Sequence, residues 1–256
     1  MCVPSRSLGR AGFLGALAAA ACFAPAAPEP AAAAATDGGI PLPQAPANMT
    51  AANARAAAIA ARSPFVQNVY GSTEALARSI EDAPLRESVL ALLHDPAPRF
   101  MRAYPTTEAR ERMRATLVAG GFVAADAPLE GIFPPNTLGR DTAPQPFWST
   151  PGSGLDSHHS YPGGLAVHEL FNARMAVGYS QQYDRLYPGY IHPLVRRDVV
   201  VGAALYHDIL KSVVFQWNDD GTPLKEILIG GTGAHHVLSG AEAIARGRDP
   251  DFVIAL

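Results

Sequence analysis

The stretch VVVGAALYHDILK, residues 199–211, sets the tightest limit on the fold. It is apolar nearly all round, and a helix of that kind belongs at the centre of a packed domain. Asp198 suits the start of such a helix and Lys211 its end, so a helix is predicted over 198–211. Its His207-Asp208 doublet then raises an electrostatic demand. An ionised carboxylate is costly to bury alone, so Asp208 requires a cation or several hydrogen-bond donors around it.

The rest of the composition suits a packed protein. Hydrophobic residues make up 48% of the 256 positions and charged residues 17%. The formal net charge of −3 excludes a broadly basic, nucleic-acid-coating surface, though not a local basic patch. Residues 1–35 read as a secretory signal: Arg6 and Arg10 precede the apolar run AGFLGALAAAACFA, and an alanine tract follows. The run is too short for a membrane span, so no span is expected once the signal is removed. The chain is therefore expected to be exported, periplasmic or secreted, with lipid anchoring at Cys22 as the lesser alternative. Cys2 and Cys22 both lie in this leader, so any metal in the mature chain must be held by His, Asp or Glu.

Residues 36–47 are rich in Gly and Pro and read as a linker. Helical patterns follow at 48–63, at 72–80, after Asp82 as N-cap, and at 106–121, where Glu108 and Arg112 stand four apart. These define a helical accessory module over 48–150. The last hundred residues hold seven of the eight histidines. A helix is predicted from Gly164 to Tyr179, with Val167, Leu170, Phe171 and Met175 on its apolar face. Asp220-Gly221 between apolar runs suggests a small hairpin, and 235–247 reads as a final helix. The fold class is all-α, with that hairpin as its possible exception.

His168, the His207-Asp208 doublet, and His235 or His236 fall on three separate helical segments. Imidazoles and a carboxylate suit divalent transition metals. The rival reading is a buried His–Asp hydrogen bond with the other histidines at the surface. His168-Glu169 starts an HExxH pattern, but position 172 is Asn and that motif fails. GGTGAHH at 230–236 lacks the Lys-Ser/Thr of a phosphate loop.

In their order, three motifs resemble the HD superfamily of metal-dependent phosphohydrolases. HHSYPGGLAVHEL, 158–170, is similar to the HHxYxGGLxxH segment of the branch that includes HD-domain 3′-to-5′ exoribonucleases. His207-Asp208 falls on the HD doublet, and Lys211 on the lysine of HDIGK, with Leu210 in place of its glycine. GAHHVLSG, 233–240, resembles GHxxxG, and the step to Gly240 selects His236. The resemblance implies an HD-like helical domain over 151–256 holding one or two divalent ions, Mn, Fe, Zn or Mg. It implies His168, His207, Asp208 and His236 as metal ligands, and His207, Asp208 and Lys211 as the catalytic set. Lys211 would also supply positive charge to a substrate phosphate, and His159 would be either a substrate contact or a structural residue. The implied activity is hydrolysis of phosphate esters, with a phosphorylated small molecule, nucleotide or nucleic acid as substrate. HD domains complete their site with a later aspartate, and the sequence ends at DFVIAL without it. This reads as a C-terminal truncation, and it keeps a second expectation open, a non-catalytic HD-like module that binds a ligand or partner.

Overall fold

Helix starts in this chain are set by short polar side chains. Thr50, Ser63, Asp82, Thr106 and Asp249 each accept a hydrogen bond from the backbone amide three residues on, at 2.8–3.3 Å. Such a cap is worth about 1 kcal/mol, and prolines at Pro64, Pro84 and Pro250 preset the first turns. The structure, a computed structural model, describes residues 40–134, 143–155, 157–188 and 196–256. The expected leader at 1–35, with Cys2 and Cys22, lies outside the described residues.

The fold is all-α. The described residues form α1 (Ala51–Ala61), α2 (Pro64–Arg78), α3 (Ala83–His94), α4 (Thr107–Ala119), α5 (Leu129–Ile132) and α6 (Gly164–Leu186). They continue through α7 (Arg197–Ala204), α8 (Lys211–Val214), α9 (Ala234–Ala245) and α10 (Pro250–Ile254). Two 3-10 turns, Phe100–Ala103 and Phe147–Ser149, lie between helices. One short antiparallel ladder pairs β1 (Leu228–Ile229) with β2 (Thr232–Gly233). None of the described helices is long and apolar enough to cross a membrane.

Residues 38–256 form one compact unit. Its core draws Tyr70, Leu92 and Phe147 from before position 150 and Leu165, Ile209 and Phe252 from after it. Asn53 ties the two parts with polar bonds: its Oδ1 accepts from the Gln145 side chain at 2.7 Å and from the Trp217 amide at 3.0 Å. Asp198, in the first turn of α7, accepts from the amides of Glu81 and Asp82, both at 2.8 Å, just before α3. On α4 the ion pair that forms is Arg114–Glu111 at 2.8 Å. Glu108 and Arg112 form none among the described residues.

Two local expectations are corrected and one is refined. The helix predicted over 198–211 stops at Ala204, and Leu205–Leu210 is a run of turns. A continued helix would have Asp208 N donate to Ala204 O. Instead Ala204 O lies 3.0 Å from His207 Nδ1, and Asp208 N donates to the Glu169 carboxylate at 3.2 Å. Side chains have taken both ends of the helical bond. Next, the small hairpin at Asp220-Gly221 forms but is short: Asn218 N donates to Thr222 O at 2.8 Å and Leu224 N to Gln216 O at 2.7 Å around one antiparallel bridge, Trp217 with Pro223, and it is distinct from the β1–β2 ladder. The ladder lies at 228–233, where Gly230 and Gly231 both take positive φ and close the turn.

The second correction concerns α6. It runs on to Leu186, and it is rotated relative to the expected apolar face. Leu165, Ala166, Glu169, Leu170 and Ala173 are buried, whereas Phe171 and Met175 are exposed, as are Tyr179, Tyr183 and Leu186 beyond them. The rotation follows from Glu169, whose two bonds to the doublet region turn it to the core. α6 packs against α7 and α2 through this face.

Candidate metal centre

Asp208 is the hub. Its side chain is 3% exposed, and its two oxygens face different partners. Oδ2 lies 2.9 Å from His168 Nε2, 3.4 Å from His207 Nε2 and 2.5 Å from Lys211 Nζ. Oδ1 lies 2.9 Å from His235 Nε2 and 3.7 Å from His236 Nδ1. Burial alone would push this carboxyl up. The imidazoles of His168 and His235 beside it, with the charges of His207 and Lys211, overcome burial and hold it well below the usual carboxylate range.

The imidazoles are oriented from behind. His207 Nδ1 faces the Glu169 carboxylate at 3.2 Å and Ala204 O at 3.0 Å. His235 Nδ1 meets Glu226 Oε1 at 2.6 Å, and the same oxygen accepts the His235 backbone amide at 2.7 Å. These acceptors hold the Nδ1 proton of each ring, which leaves Nε2 as the atom that faces Asp208. A carboxylate behind a histidine is the usual support of a metal-ligating ring. Glu169 is wholly buried, which pushes its carboxyl up, while the same group holds His207 up to about 9 against burial.

The loop before α6 supplies more imidazole. His158 and His159 lie with ring centroids 5.2 Å and 5.6 Å from that of His168. His159 takes φ of 61°, and its carbonyl accepts the Gly152 amide at 2.8 Å. Burial and the neighbouring His168 push its imidazole pKa down. Gly163, with φ of 91°, turns the chain into α6. At Gly164 an added Cβ would stand 1.8 Å from His159 O, so only glycine permits this approach.

Three groups of side chains thus converge closely enough to hold a metal ion: His158, His159 and His168; His168, His207 and Asp208; and Asp208, His235 and His236. The third group fits a cation best. Asp208 Oδ1 and His235 Nε2 are both buried without a hydrogen-bond partner, although they lie 2.9 Å apart. In the second group the ammonium of Lys211 already sits on Asp208 Oδ2.

No protein-family profile, curated protein or solved structure matches the chain. The site itself must carry the functional reading.

All the residues expected at the site are brought together, with two adjustments. Lys211 is buried, and its ammonium donates to Gly152 O at 2.6 Å as well as pairing with Asp208, so its charge is directed inward and not toward an incoming phosphate. His236 reaches Asp208, but His235 is the nearer and the more buried of the two. Sequence reasoning missed Glu169, Glu226, His158 and the role of His235. Glu169 stood beside His168 in the failed HExxH test. Nothing in LKEILI marked Glu226. Asn172, the residue that broke that motif, lies 3.0 Å from His168 Nε2 through its amide group.

Proposed function

We propose that the chain is an exported, metal-dependent phosphohydrolase of the HD type, acting on phosphate esters such as nucleotides or nucleic acid. One observation carries the reading: a single buried carboxylate, Asp208, presents each of its oxygens to a different pair of histidines. That arrangement suits one ion or two ions sharing Asp208, and the imidazole-rich donor set favours iron, zinc or manganese over magnesium. The order of the three HD-like motifs adds support.

His168, His207, Asp208, His235 and His236 would hold the metal. A bound divalent cation supplies an acidified water, with its pKa lowered from about 16 toward neutrality, and a Lewis acid for a phosphoryl oxygen. Glu169 and Glu226 keep the ring protons on Nδ1 and fix the ring planes. Lys211 screens Asp208 and anchors it to the Gly152 backbone. His158 and His159, at the edge of the cluster, are placed to donate to a phosphate oxygen. The leader at 1–35 supports export, which N-terminal sequencing of the secreted product would test.

The Lys211–Asp208 pair favours a second reading, a non-catalytic module that binds a ligand, because an ammonium occupies an oxygen that a cation would use. Elemental analysis of the purified protein, with hydrolysis of bis(p-nitrophenyl) phosphate, decides between them. The enzyme reading requires bound metal and turnover that Asp208→Ala abolishes. Metal without turnover supports the second reading, and absence of both removes the first.

A further inference from the structure

A second polar site lies where the end of α9 meets α3, and it shares no residue with the histidine cluster. A cavity of about 220 Å³ is lined by Glu87, Ser88, Arg99, Arg246 and Arg248, with Pro84 and Ala91. Three arginines line this one small cavity. Only Arg246 has a carboxylate partner among the described residues: its Nε donates to Glu242 Oε1 at 2.5 Å. Glu242 is fully buried and its other oxygen is taken too, accepting the backbone amides of Arg99 and Phe100 at 2.6 and 3.1 Å. It forms no bond with the guanidinium of Arg99 or Arg248. Arg248 donates one bond, from Nη2 to Arg246 O at 3.2 Å, and its Nε is buried with no partner. Glu87 stands on the exposed rim, so the three guanidiniums outnumber the carboxylates by one even when Glu87 and Glu242 are both counted.

The neutral group points the same way. Ser88 Oγ, on the cavity wall, is buried and uncharged, so it adds no negative charge to balance the arginines. Buried polar atoms are nearly always bonded, and the unpartnered Arg248 Nε beside excess positive charge calls for an acceptor-rich, negatively charged ligand. A guanidinium offers its donors in a fork that matches an oxyanion.

We propose that Arg99, Arg246 and Arg248, with Ser88, form a binding site for a phosphate-class oxyanion, either free phosphate or the phosphate group of a small metabolite. The site is independent of the hydrolase reading.

Isothermal titration of the full-length protein with inorganic phosphate, at constant ionic strength set with chloride, tests it. One saturable site is expected with a chelator present, apart from any phosphate held through metal at the histidine cluster. Loss of one guanidinium fork, in Arg99→Gln or Arg248→Gln, should weaken it about tenfold or more. His236→Ala, in the histidine cluster, should leave it unchanged. Arg99→Gln reads the site even if Arg248→Gln fails to fold, because Arg99 is exposed and only its backbone bonds Glu242. Three results would overturn the assignment: no saturable phosphate binding to the wild type; equal affinity in wild type and Arg99→Gln; or loss of binding in His236→Ala. Acetate binding as tightly as phosphate would reassign the site to carboxylates and reject the phosphate class.

Discussion

The backbone amide of Asp208 donates to the side chain of Glu169, a residue 39 positions earlier and on another helix. This bond ends the regular helix before the doublet and fixes the carboxylate that the histidines surround. Glu169 is wholly buried, and its removal leaves a buried amide without an acceptor and His207 without its anion. Glu169→Ala should destabilise the protein by about 2–4 kcal/mol in urea unfolding. Glu169→Gln keeps the acceptor for Asp208 and should recover about half of that loss. Equal stability of the two variants would show that the acceptor is not what matters.

Glu226 is not among the residues proposed to hold metal, yet it orients His235. Glu226→Gln should lower the affinity for zinc or manganese by about 10- to 100-fold while leaving all ligands in place. Metal titration with a competing chelator measures this. An unchanged affinity would place His235 outside the metal set and leave His236 as the partner of Asp208 Oδ1.

Removal of metal should be felt in stability. Ligation by the native state alone stabilises by mass action, about 2.7 kcal/mol at a ligand concentration 100 times the dissociation constant. A chelator should therefore lower the melting temperature of wild type. It should leave that of Asp208→Ala unmoved. A chelator effect of the same size in both would place the ion elsewhere.

Tyr70 and Tyr206 are fully buried, and burial, with Glu74 and Glu242 respectively, pushes both phenols well above their usual value. A phenol raised in the folded state contributes stability that is complete below the unfolded pKa of about 10 and is lost as pH rises from there toward the folded pKa. Each group should contribute about 1.4 kcal/mol of loss per pH unit in that window. In urea melts from pH 9 to 11 (about one unit either side of the unfolded value), Tyr206→Phe should show a shallower decline than wild type. Parallel declines would mean that Tyr206 ionises freely.

Much of the architecture was written in local chemistry. Asp82 before Pro84, Thr106, and the glycines after Val118 marked helix ends that the structure places within a residue or two. The side chains that converge on Asp208 were legible in part, because His168, His207-Asp208 and His236 stand in an ordered set of motifs. What stayed hidden depended on rotation and on long-range bonds. Adjacent residues on a helix point about 100° apart, so whether His235 or His236 turns inward is settled by how α9 packs, not by its spacing to Gly240. The face of α6 was misjudged for a related reason: a buried glutamate outranked Phe171 and Met175 for the core once Asp208 and His207 were there to receive it. The break in the helix before the doublet came from Glu169 and Ala204 exchanging partners, which no run of apolar residues reveals.

At Gly164, a carbon atom added to the backbone would stand 1.8 Å from the carbonyl of His159. This glycine carries no charge, no proton and no ligand atom, yet it holds the loop bearing His158 and His159 against the helix bearing His168. The mutational footprint of the site is therefore wider than its chemistry. A screen that scores every position for tolerance should find Gly164 as unforgiving as the histidines, and a search that looks only for reactive side chains would pass over it.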